Sequence, residues 1–180
     1  MRLFLKLKHW QLFFLIWGIP IIFNVFTFSN SELLIKLGPI ILTVFVISLF
    51  GWIWAISTEL NKFLDKESQA KLKIGRFRFV FSIPLMYALV ICLLLLLSSS
   101  IDIPNGALFS VILIPIHLVC FLAILYGFRF AARTIKSVEL GRIATDIEAK
   151  DEYGKIAVSF IGIWTLQPRL NKMIEASSKY

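Results

Sequence analysis

Four long stretches of the sequence contain no charged residue. They lie between Lys8 and Glu32, between Lys36 and Glu59, between Arg78 and Asp102, and between Asp102 and Arg129. Each is longer than the roughly 20 residues that a helix needs to cross about 30 Å of hydrocarbon. Only 17% of the 180 residues are charged, too few to cover four such helices in water. The sequence therefore predicts an all-α integral membrane protein.

We predict transmembrane spans at about 10–28, 38–57, 79–97 and 107–128. The connection at 29–37 is short, and so is the one at 98–106, which contains the turn-forming sequence Pro104-Asn105-Gly106. Short links make consecutive helices antiparallel neighbours. The predicted fold is thus a four-helix transmembrane bundle with up-down-up-down topology over residues 1–130, followed by a C-terminal helical extension at 131–180.

Basic residues are concentrated in three regions: the N-terminal stub, the connection between the second and third spans, and the chain after the fourth span. Among 19 Lys and Arg residues, Lys36 alone falls elsewhere. Because basic loops are retained on the cytoplasmic side, both termini and the extension are predicted to be cytoplasmic. This rule and anionic lipid headgroups account for the charge without nucleic acid. The residues expected to contact headgroups are Arg76, Arg78, Arg129, Arg133, Arg169 and Lys172.

Several tryptophans fall near predicted ends of the apolar segments. The indole ring is apolar while its N–H requires a polar partner, so tryptophan favours the membrane–water boundary. The residues predicted to be interfacial anchors are Trp10, Trp52, Trp54 and Trp164.

The extension is predicted to begin as a helix that continues the fourth span over Phe130–Glu152, with apolar residues at helical spacing. The apolar run Ile156–Leu166 is about half the length of a span, so a fifth crossing is rejected. We expect the amphipathic segment Ile156–Ala176 to lie in the cytoplasmic interface or to fold back onto the bundle, and we predict an interfacial element rather than a span or a free tail.

The spans contain no Asp or Glu, and their one central ionisable residue is His117. Intramembrane ionisable residues commonly face a cavity or a polar partner. We predict a candidate polar site formed by His117, Asn24 and Tyr87. Two interpretations remain open: a neutral imidazole that hydrogen-bonds to a neighbouring helix through Asn24, Tyr87, Ser82 or Thr43, or a path past His117 lined by helices bent at Pro20 and Pro115.

Residues that catalysis requires are scarce. No nucleophile with a paired base, carboxylate pair or phosphate-binding glycine motif is evident, so an enzyme is not expected. No cofactor or metal is predicted, because His9 lies at the chain start rather than opposite His117. Cys92 and Cys120 lie inside the apolar stretches and are expected to be free thiols.

Three stretches carry a resemblance to known sequences: Lys8–Phe13 (KHWQLF), Phe130–Glu139 (FAARTIKSVE) and Ile161–Lys172 (IGIWTLQPRLNK). Together with the hydropathy profile, they resemble a family of small uncharacterised bacterial inner-membrane proteins with no established activity. The resemblance implies a bacterial cytoplasmic (inner) membrane and lends no catalytic residue.

Two functions are compatible with this sequence. The first is a non-catalytic membrane component that forms homo-oligomers, or serves as a subunit of a membrane complex or an anchor for a cytoplasmic partner. The second is a pore or small transporter subunit in which proline-bent helices line a path near His117. The spans supply few polar side chains for such a path, which favours the first hypothesis.

Overall fold

The computed structural model describes residues 2–27, 31–97 and 106–177, which are mostly helical and contain no β-strand. The helices are α1 (Arg2–Lys6), α2 (His9–Phe13), α3 (Ile19–Thr27), α4 (Ser31–Glu59), α5 (Lys66–Leu72), α6 (Ile74–Leu97), α7 (Gly106–Leu140), α8 (Lys150–Ala157) and α9 (Ser159–Ser177). A π-helical turn, Phe14–Gly18, joins α2 to α3, and a 3₁₀ turn, Leu60–Phe63, follows α4.

Among the described residues, four helical stretches are long and apolar enough to cross a membrane: His9–Thr27, Ile35–Phe63, Lys66–Leu97 and Leu113–Leu140. They confirm the predicted all-α chain with four transmembrane helices, which is a multi-pass membrane protein. The first connection differs, since α4 begins at Ser31 and makes most of the expected link helical. An ion pair of 2.6 Å between Lys36 and Glu32, one turn apart, stabilises this added turn. Most of the other predicted link, 98–105, lies outside the described residues.

Helix α4 lies at the centre and contacts α3, α6 and α7. A run of stacked rings joins α4, α6 and α7: Phe50 to Phe81 at 5.1 Å, Phe81 to Phe77 at 5.2 Å, and Phe77 to Phe130 at 4.5 Å. Gly127 lets α7 approach, because a Cβ there would come within 2.2 Å of the Phe81 ring. Lipid is as apolar as these side chains, so close packing of this kind holds membrane helices together.

The end of α7 differs from the sequence prediction. A helix was expected over Phe130–Glu152, but α7 ends at Leu140 and Gly141 adopts φ +64°. Glycine takes this left-handed conformation without the penalty that a side chain imposes. Ser137 Oγ then accepts a hydrogen bond of 2.9 Å from the Ala144 backbone N–H, which folds the chain back along α7. The continuous helix was therefore wrong.

Helices α8 and α9 form a tight hairpin against the bundle. A Cβ at Gly162 would lie 1.7 Å from the Lys155 carbonyl oxygen, so only glycine permits this approach. Helix α9 packs on α2 and α1. Its Phe160 ring contacts Phe13 at 5.1 Å and Trp17 at 5.8 Å. The segment Ile156–Ala176 thus packs on the bundle, and its position in the cytoplasmic interface stays a prediction.

Candidate functional site

The intramembrane polar site brings His117 and Tyr87 together. The Tyr87 hydroxyl lies 2.7 Å from His117 Nδ1 and 3.2 Å from Nε2, while Nδ1 is also 3.0 Å from the Leu113 carbonyl oxygen. A proton on Nδ1 donates to Leu113 and leaves Nε2 to accept from Tyr87; a proton on Nε2 leaves Nδ1 to accept from Tyr87. In either neutral tautomer Tyr87 of α6 donates to the His117 ring of α7, and a proton on Nδ1 is also satisfied, by the Leu113 carbonyl within α7.

Asn24 does not join this pair. Its Nδ2 donates to the Pro20 carbonyl oxygen at 2.8 Å, one turn earlier in α3. The other two candidates also bond within their own helices, Thr43 to Pro39 O at 2.7 Å and Ser82 to Phe79 O at 2.8 Å. Tyr87 is the partner among the four residues proposed from the sequence.

His117 and Tyr87 line a cavity of about 320 Å³ between α4, α6 and α7. The rest of the wall is mostly apolar, and it includes both free cysteines, Cys92 and Cys120. Within the described part of the chain, no three His, Cys, Asp or Glu side chains are grouped so as to hold a metal. The chemistry that this cavity offers is hydrogen bonding to a small, largely apolar group.

A buried hydrogen-bond network centred on Gln167, which we call the Gln167 clasp, joins the two ends of the chain to α4. Gln167 of α9 is fully buried, and its Oε1 accepts a hydrogen bond of 2.9 Å from Trp52 Nε1. Its Nε2 lies 2.9 Å from the carbonyl oxygens of both Phe4 and Leu7, at the break between α1 and α2. Asn171 Nδ2 also donates to Leu7 O, at 3.2 Å. Carbonyls at a helix end lack hydrogen-bond donors within the helix. Gln167 of α9, 160 or more positions away along the chain, supplies these donors.

An ion-pair cluster joins α7, α8 and α9. Arg169 of α9 reaches Glu152 of α8 at 3.0 Å and also bonds Glu139 of α7. Burial of Glu152 disfavours its charged form, but the hydrogen bond from Arg169 and nearby positive charge outweigh this and lower its pKa below the ordinary value. The three helices are thereby joined through one guanidinium.

Side-chain hydrogen bonds and ion pairs stabilise the turn at 141–149. Glu148 accepts hydrogen bonds from Arg142 at 3.2 Å and from the Thr145 backbone N–H at 2.8 Å. These bonds, that from Arg142 foremost, lower the pKa of Glu148 to about 2. Arg129 also anchors the turn, its Nε donating to Asp146 Oδ1 at 2.7 Å.

We call α1, α5, the end of α7, this turn and the α8–α9 hairpin the basic end.

The basic residues predicted to contact headgroups fall into two groups. Arg76, Arg78 and Lys172 are exposed. Arg129, Arg133 and Arg169 instead make bonds within the protein: Arg129 to Asp146, Arg133 Nε to Ala144 O at 3.2 Å, and Arg169 to Glu139 and Glu152. Their first role is to hold the basic end together.

The predicted tryptophan anchors also divide. Trp10 and Trp164 expose 53% and 45% of their surface, and Trp54 is partly buried. Trp52 is fully buried and does not fit the prediction of an interfacial anchor, because Gln167 satisfies its indole N–H inside the protein. Gln167 was missed as a key residue; a lone amide inside the apolar half of α9 was the available signal.

No protein-family model, curated protein or solved structure matches the chain. The resemblance to small bacterial inner-membrane proteins thus stays a prediction, and the functional conclusions below rest on the residues and their geometry.

Proposed function

We propose that this protein is a non-catalytic component of the bacterial cytoplasmic membrane, with both termini in the cytoplasm, that holds a cytoplasmic partner on its basic end. The observation that supports this most is the folded state of the chain after Leu140. Roughly a fifth of the sequence follows the spans, and it is folded rather than extended as a tail. It is fixed to the bundle by the Gln167 clasp and the Arg169 ion pairs.

A fixed surface suits a docking role. Ordering loops and side chains on binding costs affinity, and a surface that is already ordered avoids much of that cost. The basic end also displays exposed cations, among them Lys66, Arg76, Arg78 and Lys172. Complementary charge speeds encounter and excludes wrong partners, so the expected partner has an acidic surface.

Site-specific photocrosslinking in cells tests this proposal. We would place a photoreactive residue at Lys66 or Lys172, both exposed on the basic end, and at Leu118 as the matched control on the exposed apolar face of α7. A discrete adduct from the basic-end positions that is missing at Leu118 supports the docking role. An adduct of twice the chain mass at Leu118 would instead support a homo-oligomer that packs through its spans. Absence of a discrete adduct at Lys66 and Lys172 contradicts the docking role.

A second candidate is a pore or small transporter subunit, and the cavity beside His117 and Tyr87 is the observation that favours it. Ion or dye flux through liposomes that contain the purified protein distinguishes it from an anchor. Flux that is reduced by His117→Leu would support a path at this cavity. We expect no flux above that of empty liposomes, because most of the cavity wall is apolar.

A further inference from the structure

A cavity of about 430 Å³ lies between α7 and the chain that folds back along it. Its wall changes character along α7. Leu122 and Leu125 make one part apolar, whereas Arg129, Arg133 and Lys150 make the other part basic. Such a wall matches a ligand that carries a hydrocarbon chain and an anionic group on the same molecule.

The apolar part is continuous with the surface that meets lipid. Leu122 exposes 57% of its surface, and its neighbour Phe121 exposes 56%. Arg129 follows Leu122 by two helical turns, about 10 Å along the helix axis. This sequence of apolar and then basic groups follows the order of acyl chain and phosphate in a membrane phospholipid.

The basic part has hydrogen-bond donors to offer. Arg129 is engaged by Asp146, which removes one positive charge from the three. In the described part of the chain, Arg133 uses only its Nε, toward Ala144 O at 3.2 Å and Asp146 at 3.7 Å. Its two Nη groups and the exposed Lys150 ammonium supply donors to a phosphate, and charge-assisted bonds of this kind are the strong ones.

We propose that this cavity binds one anionic phospholipid, with an acyl chain against Leu122 and Leu125 and the phosphate against Arg133 and Lys150. A free phosphate ion would satisfy the basic part but leave the apolar part unfilled. The bound lipid bridges α7 and α8 at the basic end. The site is independent of the proposed cytoplasmic partner, because its wall is formed by this chain alone.

Native mass spectrometry of the purified full chain in a neutral detergent tests the site. The probes are phosphatidylglycerol, phosphatidylcholine and inorganic phosphate, each titrated separately. Lys150→Gln removes a cavity cation, and Lys155→Gln is the matched control on the same helix but outside the cavity wall. We expect one phosphatidylglycerol to bind, and Lys150→Gln to weaken it about fivefold, the contribution typical of one basic residue. Lys155→Gln should bind as the unchanged protein does.

A second substitution tests the apolar part. Leu122→Gln places an amide where the acyl chain is proposed to lie, on an exposed side chain whose replacement spares the core. It should weaken phosphatidylglycerol binding, while the thermal unfolding midpoint stays unchanged. Equal losses from Lys150→Gln and Lys155→Gln would show diffuse attraction and overturn the site. Binding of phosphatidylcholine as tight as that of phosphatidylglycerol, or displacement of lipid by millimolar phosphate, would also overturn it.

Discussion

Replacing Gln167 by leucine tests the buried clasp that holds both ends of the chain to α4. The substitution keeps the side chain near its present size but removes every polar atom. Trp52 Nε1, which is fully buried, loses its acceptor, and the carbonyl oxygens of Phe4 and Leu7 lose a donor. A buried group left without a partner costs about 1–3 kcal/mol, and less where water can reach it. Because the carbonyls are only partly enclosed, we expect the total loss of unfolding free energy to be about 2–4 kcal/mol.

The assay is unfolding in mixed micelles of increasing dodecyl sulfate content, followed by far-ultraviolet circular dichroism. Gln69→Leu is the matched control, since the Gln69 side chain makes one hydrogen bond within the described residues, to Leu64 O at 2.7 Å, and its loss should cost about 1 kcal/mol or less.

A double-mutant cycle isolates the bond between the two side chains. Trp52→Phe removes the indole N–H, and the pair Trp52→Phe with Gln167→Leu should cost less than the sum of the single changes, by about 1 kcal/mol. Full additivity, or a Gln167→Leu protein as stable as the Gln69→Leu protein, would refute the clasp.

Two further predictions concern the chain after α7. Gly162→Ala should destabilise the protein by about 3 kcal/mol, because the added Cβ would overlap Lys155 O. Gly154→Ala, with open space around it, should change stability by no more than about 1 kcal/mol. The same micelle titration compares the two variants, and equal losses of stability would argue against the tight hairpin. Glu148 has a folded pKa lowered to about 2 from 4.5, so its contribution is present above pH 4.5 and is lost as pH falls toward 2. The difference in thermal midpoint between the protein and Glu148→Gln should shrink across that window, and a constant difference would contradict the bond to Arg142.

The spans were predictable because a single physical requirement, apolar length, determines them. Helix α4 ends at Glu59, the charged residue that closes its apolar stretch, whereas α7 continues past Arg129 to Leu140. The end of α7 was not predicted, since apolar residues continue at helical spacing past Leu140. Two signals were present there: Gly141, a residue typical of helix ends, and the Thr145–Glu148 pair, whose mutual hydrogen bonds lie in the turn before α8.

The contacts between residues far apart in the sequence were harder to predict. Trp52 and Gln167 are 115 positions apart, and no local pattern connects an indole in one apolar stretch with an amide in another. His117 was recognised because a lone imidazole in a span requires a partner, but Tyr87 was one of four residues that could serve. Pairings of this kind depend on helix rotation and depth, which composition does not determine.

Cysteine accessibility in intact spheroplasts tests most directly the central claim that the basic end faces the cytoplasm. Glu32→Cys, Lys66→Cys and Lys172→Cys would be introduced singly into a chain without Cys92 and Cys120, since all three positions are exposed. A membrane-impermeant maleimide should label Glu32→Cys from outside, and the other two only after permeabilisation. Labelling of Lys66→Cys and Lys172→Cys in intact spheroplasts, with Glu32→Cys protected, would contradict the orientation on which the proposed docking role depends.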